Sequence, residues 1–423
     1  MDPRPRSNRE TSSGWPLVAL GGLSIVGGIY HYSAGAVAFG LILISTPTIV
    51  LYLLKLSVRG LSIRRSAPES AFEGDTVEVS VTLSNRSRIP VFHPEIIDVF
   101  GPEQHDEKRV FFPDRIRGHE TVGGTYSGDC ILPRGIYKVG PLRVAVSDPF
   151  GWFRVEKALK DPERIKVYPQ VLDFGKRDEL GRCLTDALSE MTYQGPGESD
   201  DFFAVREYRR GDPLRRVHWP LTAHRGFPIV KEFARHSRGD LSIIIDRNRE
   251  GLVGIGRGSS LEHAVKITAA FSAHSLTRGH RVEVLSGVED EDNVPAGGGR
   301  DYLKTILELL VRVRLRDKPS FDQVVDLASE RVRRGSVVLI MVSPYLYYDR
   351  SFIKRLERIK ARGSRVIAVV FDDSTFRKVW SEEDLSRGED SMRFVARLKD
   401  KGINAYVVPC AADMKAVFAE APL

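Results

Sequence analysis

From residue 11 to residue 54 the chain carries no Asp, Glu, Lys or Arg, a run broken once by the polar "YHYS" at residues 30–33. Each half has about the twenty residues that a helix needs to cross a bilayer. The stretch therefore reads as an N-terminal transmembrane helical hairpin, with Trp15 and Tyr30 at the interfaces, Pro16 in a first turn and Pro47 kinking the second helix. A cleaved signal peptide has one short apolar core and a small-residue cleavage site, which two long spans do not match. A buried hairpin of a water-soluble protein is the alternative. Arg4, Arg6 and Arg9 precede the run, Lys55, Arg59, Arg64 and Arg65 follow it, and the turn has no positive charge. The positive-inside rule then expects a multi-pass protein of the cell membrane with its soluble domains facing the cytoplasm.

The remainder of the 423 residues is long enough for more than one core. Residues 61–168 alternate in short strands: "TVEVSVTLSN" at 76–85, "EIIDVF" at 95–100, "KRVFF" at 108–112 and "PLRVAVSD" at 141–148. The turn signals "EGD", "SRIP", "LPRG" and "DPFG" separate them, the pattern of an antiparallel sandwich. Its Asp98, Asp114 and His119 read as solvated face residues.

From residue 240 onward, apolar runs at 241–246, 281–286, 336–343, 365–371 and 404–409 alternate with helical stretches at 260–278, 302–314, 321–333, 350–362 and 391–401. Strands this apolar belong in a doubly wound parallel sheet covered on both faces. The fold class is thus α/β and all-β multidomain: a membrane hairpin (1–58), a β-sandwich-like domain (59–170), a linking segment (171–239) and an α/β domain (240–423). Ligands of such sheets bind beyond the carboxyl ends of the strands, here residues 246–250, 343–345 and 372–374. Asp246 with Asn248 and Ser343 could ligate a hard cation such as Mg²⁺, against which Arg247 and Arg249 would act. No other cofactor is expected. "GIGRGSS" at 254–260 lacks the spacing of a phosphate loop and reads as a loop with a helix cap. Three widely spaced cysteines, Cys130, Cys183 and Cys410, offer neither a metal pair nor a disulfide framework.

The segment "GPGESDDFFAVREYRRGDPLRRVHWPLTAHRGFPIVKEFA" at 195–234 follows neither the helical nor the strand period throughout. Residues 203–238 hold nine Lys or Arg against three acids, nearly the whole of the chain's net charge of +7. Arginines near Glu207, Asp212 and Glu232 could form bidentate pairs that lock a long loop, with Tyr208, Trp219 and Phe233 as apolar anchors. The same excess suits an anionic ligand or a partner surface; anionic lipid or nucleic acid would need the basic residues on one face. Asp200, Asp201, Glu207, Asp212 and His218 could alternatively serve a metal-dependent hydrolase or nuclease, although no nucleophile elbow or HExxH accompanies them.

"RGIYKVGPLRVAVSDPFGWF" at 134–153, "IKVYPQV" at 165–171 and the 195–234 segment together resemble the domain-of-unknown-function 58 family. The resemblance is carried by Gly195 and Gly197 with Phe202 and Phe203, then Arg206, Tyr208, Gly211, Asp212, Arg216 and Trp219, then Ala223, Gly226, Val230 and Phe233. His224 departs from it, standing where the family has a second arginine. The resemblance implies a membrane hairpin, a β region and a C-terminal domain like von Willebrand factor A, with a MoxR-type AAA+ ATPase as partner. That last domain often binds Mg²⁺ through Asp-x-Ser-x-Ser, where this chain has "DRNRE" at 246–250, so the metal site looks degenerate. The function expected is a membrane-tethered adaptor without catalysis of its own. Glu207 and His218 join the motif residues as its candidate partner-binding set, and nucleic acid is not expected as a partner.

Overall fold

The computed structural model describes residues 11–12, 14–103, 106–171, 196–209, 212–214, 217–234, 240–376 and 382–410. The chain divides into two compact units, Met1–Tyr168 and Pro169–Leu423.

The first unit opens with β1 (Thr11–Ser12), α1 (Trp15–Tyr30) and α2 (Ala34–Arg59). Pro16 occupies the first turn of α1, where its missing N–H has no helical partner to lose. Ser33 caps α2 by accepting the Ala36 N–H at 3.3 Å. The two helices pack through glycine: a Cβ on Gly21 would stand 2.8 Å from the Gly40 carbonyl oxygen, and one on Gly40 would stand 2.6 Å from that of Gly21. Ser24 Oγ donates across the seam to the Ala36 carbonyl at 2.9 Å. Leu20, Leu23, Val26, Ile29, Phe39 and Ile42 point outward and are exposed. Among the described residues, α2 is the one helix both long and apolar enough to cross a membrane; α1 is apolar and shorter.

Twelve strands follow: β2 (Leu61–Ser66), β3 (Ser70–Phe72), β4 (Thr76–Asn85), β5 (Val91–Phe92), β6 (Glu95–Phe100), β7 (Asp106–Phe111), β8 (Arg115–Ile116), β9 (Thr121–Asp129), β10 (Gly135–Val139), β11 (Leu142–Ser147), β12 (Phe153–Lys160) and β13 (Glu163–Tyr168). The larger sheet runs β1-β12-β11-β6-β10-β13-β3, with β7 also on β6; the smaller runs β2-β4-β9. Pairing is antiparallel except between β13 and β3. Alternation along β4 buries Val77, Val79, Val81 and Leu83. They meet Ile96, Phe100, Val144 and Val167 of the larger sheet in one core, which the last turns of α2 join through Leu54 and Val58.

One expectation fails in this core. Asp98 is not a solvated face residue: it is fully buried, and its carboxylate accepts from Arg65 Nη1 at 3.0 and 3.1 Å and from the Tyr126 hydroxyl at 2.7 Å. Arg65, equally buried, reaches on to Glu163 at 3.1 Å. Strand β6 lies inside the sheet with a covered face on the side of Asp98, and a charge can occupy that face because it is paired there. Asp114 and His119 are exposed.

The second unit contains a hairpin-like excursion followed by a six-stranded sheet. The excursion is β14 (Pro196–Glu207), a short helix α3 (Trp219–Arg225) and β15 (Ile229–Ala234), with β14 antiparallel to β15. The sheet comprises β16 (Asp240–Ile244), β17 (Arg281–Leu285), β18 (Asn293–Gly297), β19 (Val337–Val342), β20 (Arg365–Phe371) and β21 (Asn404–Val408) in the order β18-β17-β16-β19-β20-β21. All neighbours are parallel except β17 and β18. The antiparallel edge departs from the expected all-parallel sheet; "NVPAG" carries Pro295, tolerated on an edge where one ladder donor can be missing.

Helices Phe321–Arg331, Arg350–Ala361 and Glu382–Asp400 cover one face, burying Val325, Phe352, Leu356 and Phe394 against Ile340, Ala368 and Val370. Ser260–Thr277 and Tyr302–Arg312 lie together beside β17 and β18. Ser259 caps the first of these at 3.4 Å, so the 254–260 stretch is the capped loop that its sequence suggests. Helix Glu382–Asp400 begins well before the expected residue 391, its charged first half hiding the period.

Candidate functional site

Two places gather the residues that the sequence marks. The first is the excursion. Arg206, at the end of β14, donates from Nη1 and Nη2 to both oxygens of Asp212 at 2.7 and 2.8 Å, and the Arg209 N–H donates to the same carboxylate at 2.8 Å. The guanidinium, followed by the Arg209 amide, holds the Asp212 carboxyl down at about 2. Tyr208 N–H reaches the Pro228 carbonyl at 2.9 Å, and His218 N–H the Ile229 carbonyl at 2.8 Å, tying the segment across to β15. His218 Nδ1 accepts the Leu221 N–H at 3.2 Å and so caps α3. Gly226 ends α3 at φ +77°, a left-handed position that glycine occupies without strain. The expected long loop is therefore two paired strands carrying a capped helical turn, and among its described side chains Val217, Ile229 and Val230 are buried.

Trp219 does not anchor this element: it is 65% exposed at the start of α3. Leu214, Phe227 and Val205 are exposed as well, and nothing in the local sequence marked them. Glu207 is exposed and Tyr208 half-buried. Gly197 and Phe233 pair across β14 and β15. Gly195, Gly211 and Arg216 lie outside the described residues, as do the side chains of Asp200, Asp201 and Phe233.

The second place is the carboxyl end of the sheet, between β16 and β19, where the strand order reverses and crevices form in open α/β sheets. Asp246 is 7% exposed there, its Oδ1 accepting the Asn248 N–H at 2.8 Å. Burial pushes its carboxyl up to about 6, against the pull of that amide and of the Ser343 and Tyr345 hydroxyls. Burial and the Asp246 charge in turn raise the Tyr345 phenol. The cavity lined by Asp246, Asn248, Ser260, Met341, Ser343 and Phe371 has a volume of about 10 Å³, room for about one water.

Arg247 does not oppose a cation at this point as expected, because it is buried in a two-bond pair with Asp292 at 3.0 and 2.7 Å; Arg249 meets Asp317 at 3.1 Å. The donors nonetheless fit a resident Mg²⁺ poorly. They comprise one carboxylate and neutral oxygens, Asn248 Oδ1 already accepts the Glu250 N–H at 3.2 Å, and burial works against the ionised form of that carboxylate. Among the described residues no three His, Cys, Asp or Glu side chains cluster as a metal site.

No curated protein matches the sequence. Solved structures similar to part of the chain include the CARDB domain of a Pyrococcus furiosus protein, 13% identical over 26% of this chain and 94% of that one with a TM-score of 0.19. The PKD domain of an M14-like peptidase from a Thermoplasmatales archaeon is 12% identical over 26% and 94%, with a TM-score of 0.17. A Listeria innocua β-glucosidase is 15% identical over 26% of this chain and 16% of the enzyme, with a TM-score of 0.17. Scores this low carry no argument about this chain. Residues 204–378, from the excursion to just past β20, match the family model described as "Protein of unknown function DUF58".

Proposed function

We propose that this protein is a membrane-tethered adaptor whose excursion between β14 and β15 docks a partner protein, with no chemistry of its own. The observation that carries the reading is Trp219, 65% exposed on a short helix, with Leu214 and Phe227 also exposed and a frame held by the Arg206–Asp212 pair and the His218 cap. Water-facing apolar side chains on a braced support are what an interface core requires, and tryptophan and arginine dominate such cores. The resemblance to the DUF58 family implies a MoxR-type AAA+ ATPase as the partner class, and the six-stranded sheet suits the domain like von Willebrand factor A that it implies. The outward apolar faces of α1 and α2 support a two-pass anchor, and Lys55 and Arg59 at its base support a cytoplasmic orientation.

The hydrolase alternative draws less support. Asp212 is held ionised by Arg206, and His218 Nδ1 is occupied by the Leu221 amide.

The test is a crosslinking pull-down from detergent-solubilised membranes with the wild type and a folded Trp219→Ala variant. The wild type should recover an AAA+ ATPase, and the variant should lose it with at least about a 30-fold drop in affinity, as for an interface hot spot. Equal recovery by both would move the contact off the excursion; recovery by neither would remove the adaptor reading.

A further inference from the structure

The first unit holds a further exposed aromatic feature, on the sandwich and apart from the helices. The part of the hairpin that stands clear of the sandwich is short. Helix α1 has 16 residues, about 24 Å at 1.5 Å per residue. Helix α2 is longer, but from Val50 and Leu51 onward it packs against the sandwich core, and Leu54 and Val58 are buried in it. Its free part, residues 34–49, therefore matches α1 in length. A bilayer's hydrocarbon layer is about 30 Å thick, so a hairpin that spans it draws the rim of the sandwich toward the acyl region.

Both ends of the hairpin are fixed to that rim. On the entry side β1 pairs with β12, Thr11 opposite Arg154 and Ser12 opposite Phe153, and Gly14 abuts the Phe153 ring so closely that a Cβ would clash. Because the strands are antiparallel, the chain just before Phe153 extends in the direction in which β1 enters α1. That chain is the turn "DPFGW" at 148–152. Its one charge, Asp148, is buried, accepting the Phe150 N–H at 2.8 Å and the Phe153 N–H at 2.5 Å. The tip therefore presents Phe150, 62% exposed, stacked on Trp152 with ring centroids 4.7 Å apart. Trp15, 56% exposed, and Tyr52, 66% exposed, lie at the same end of the hairpin, and Lys55 and Arg59 are exposed one turn apart on α2. Aromatic rings with cations beside them match the acyl–headgroup boundary.

We propose that the 148–152 turn is a lipid-contacting element that seats the sandwich on the bilayer, with Phe150 and Trp152 at the acyl–headgroup boundary beside Trp15. This rests on the membrane reading above. The test uses the full-length chain in phosphatidylcholine–phosphatidylglycerol vesicles whose acyl chains carry bromine near the headgroup, with one tryptophan retained and the others changed to Phe.

The Trp152-only chain should lose a fraction of its emission comparable to that lost by the Trp15-only chain. Quenching of Trp15 with none at Trp152 would overturn the proposal and leave the anchor standing. Quenching of neither would overturn both. Should the triple replacement unfold the chain, the readout moves to a Phe150→Cys variant carrying an environment-sensitive fluorophore, with Cys183 and Cys410 changed to Ser. An Asp161→Cys variant, beyond the far end of β12, serves as its control. The label at 150 should shift to the blue and be quenched by the brominated lipid while that at 161 does neither; equal responses would refute the seating.

Discussion

Asp246 gives the sharpest test of the carboxyl-end cleft. Burial lifts its folded pKa from 3.8 to about 6, so between those values the native state holds a proton that the unfolded chain has released. Stability then falls as pH rises through that window, because the native state binds more protons than the unfolded one. A gap of about 2 pH units corresponds to about 3 kcal/mol of native-state cost at pH 7 and above. Replacing Asp246 by Asn keeps the shape and the oxygen that accepts the Asn248 N–H while removing the charge. The variant should be more stable than the wild type by about 3 kcal/mol at pH 8, and the difference should vanish toward pH 4. Urea unfolding of the full chain in detergent, followed by deuterium uptake of peptides from β16 and β19, isolates this sheet from the sandwich. Parallel pH curves for the two proteins would refute the burial argument. The same titration with added Mg²⁺ tests the cation question: a bound divalent ion favours the ionised carboxyl, so the wild type would gain stability at pH 8 and the Asn variant would not.

Three further outcomes follow from other parts of the molecule. Asp98→Leu leaves Arg65 buried without its main partner and should cost about 3–5 kcal/mol, whereas Arg65→Met with Asp98→Leu should recover most of it; urea unfolding read at β4 and β6 measures both. Gly40→Leu forces α1 and α2 apart and should lower stability in detergent by about 1–3 kcal/mol, while Gly22→Leu, where a Cβ meets nothing within 4 Å, should leave it unchanged. In the excursion, Asp212→Asn should raise deuterium uptake around Arg209 at neutral pH. The wild type should show the same loosening only as pH falls through about 2, since the depressed carboxyl loses its pairing on protonation.

What the sequence exposes and what it hides divide along a physical line. Strands β4, β6 and β20 begin and end where their sequences place them, because an apolar run bounded by turn residues has one extended solution. The reversal of strand order placed Asp246 at a crevice for the same reason: topology alone decides it. Edge strand β18 escaped notice since Pro295 and Gly297 dilute its apolar character, and its place depends on the free edge of β17. Asp98 escaped for a deeper reason. Alternation along a strand tells which residues share a face, but whether that face meets water or protein depends on elements elsewhere in the chain. The partners of Asp98 are 33 residues back at Arg65 and 28 ahead at Tyr126, and no window on β6 contains them. Trp219 is the converse case: its sequence allowed either an apolar anchor or a partner-facing ring, and the fold leaves it in solvent. Both outcomes are set by chain far away in sequence. A buried charge must find its partner there and an exposed aromatic marks where no chain arrived, so such mismatches are the places from which to choose substitutions.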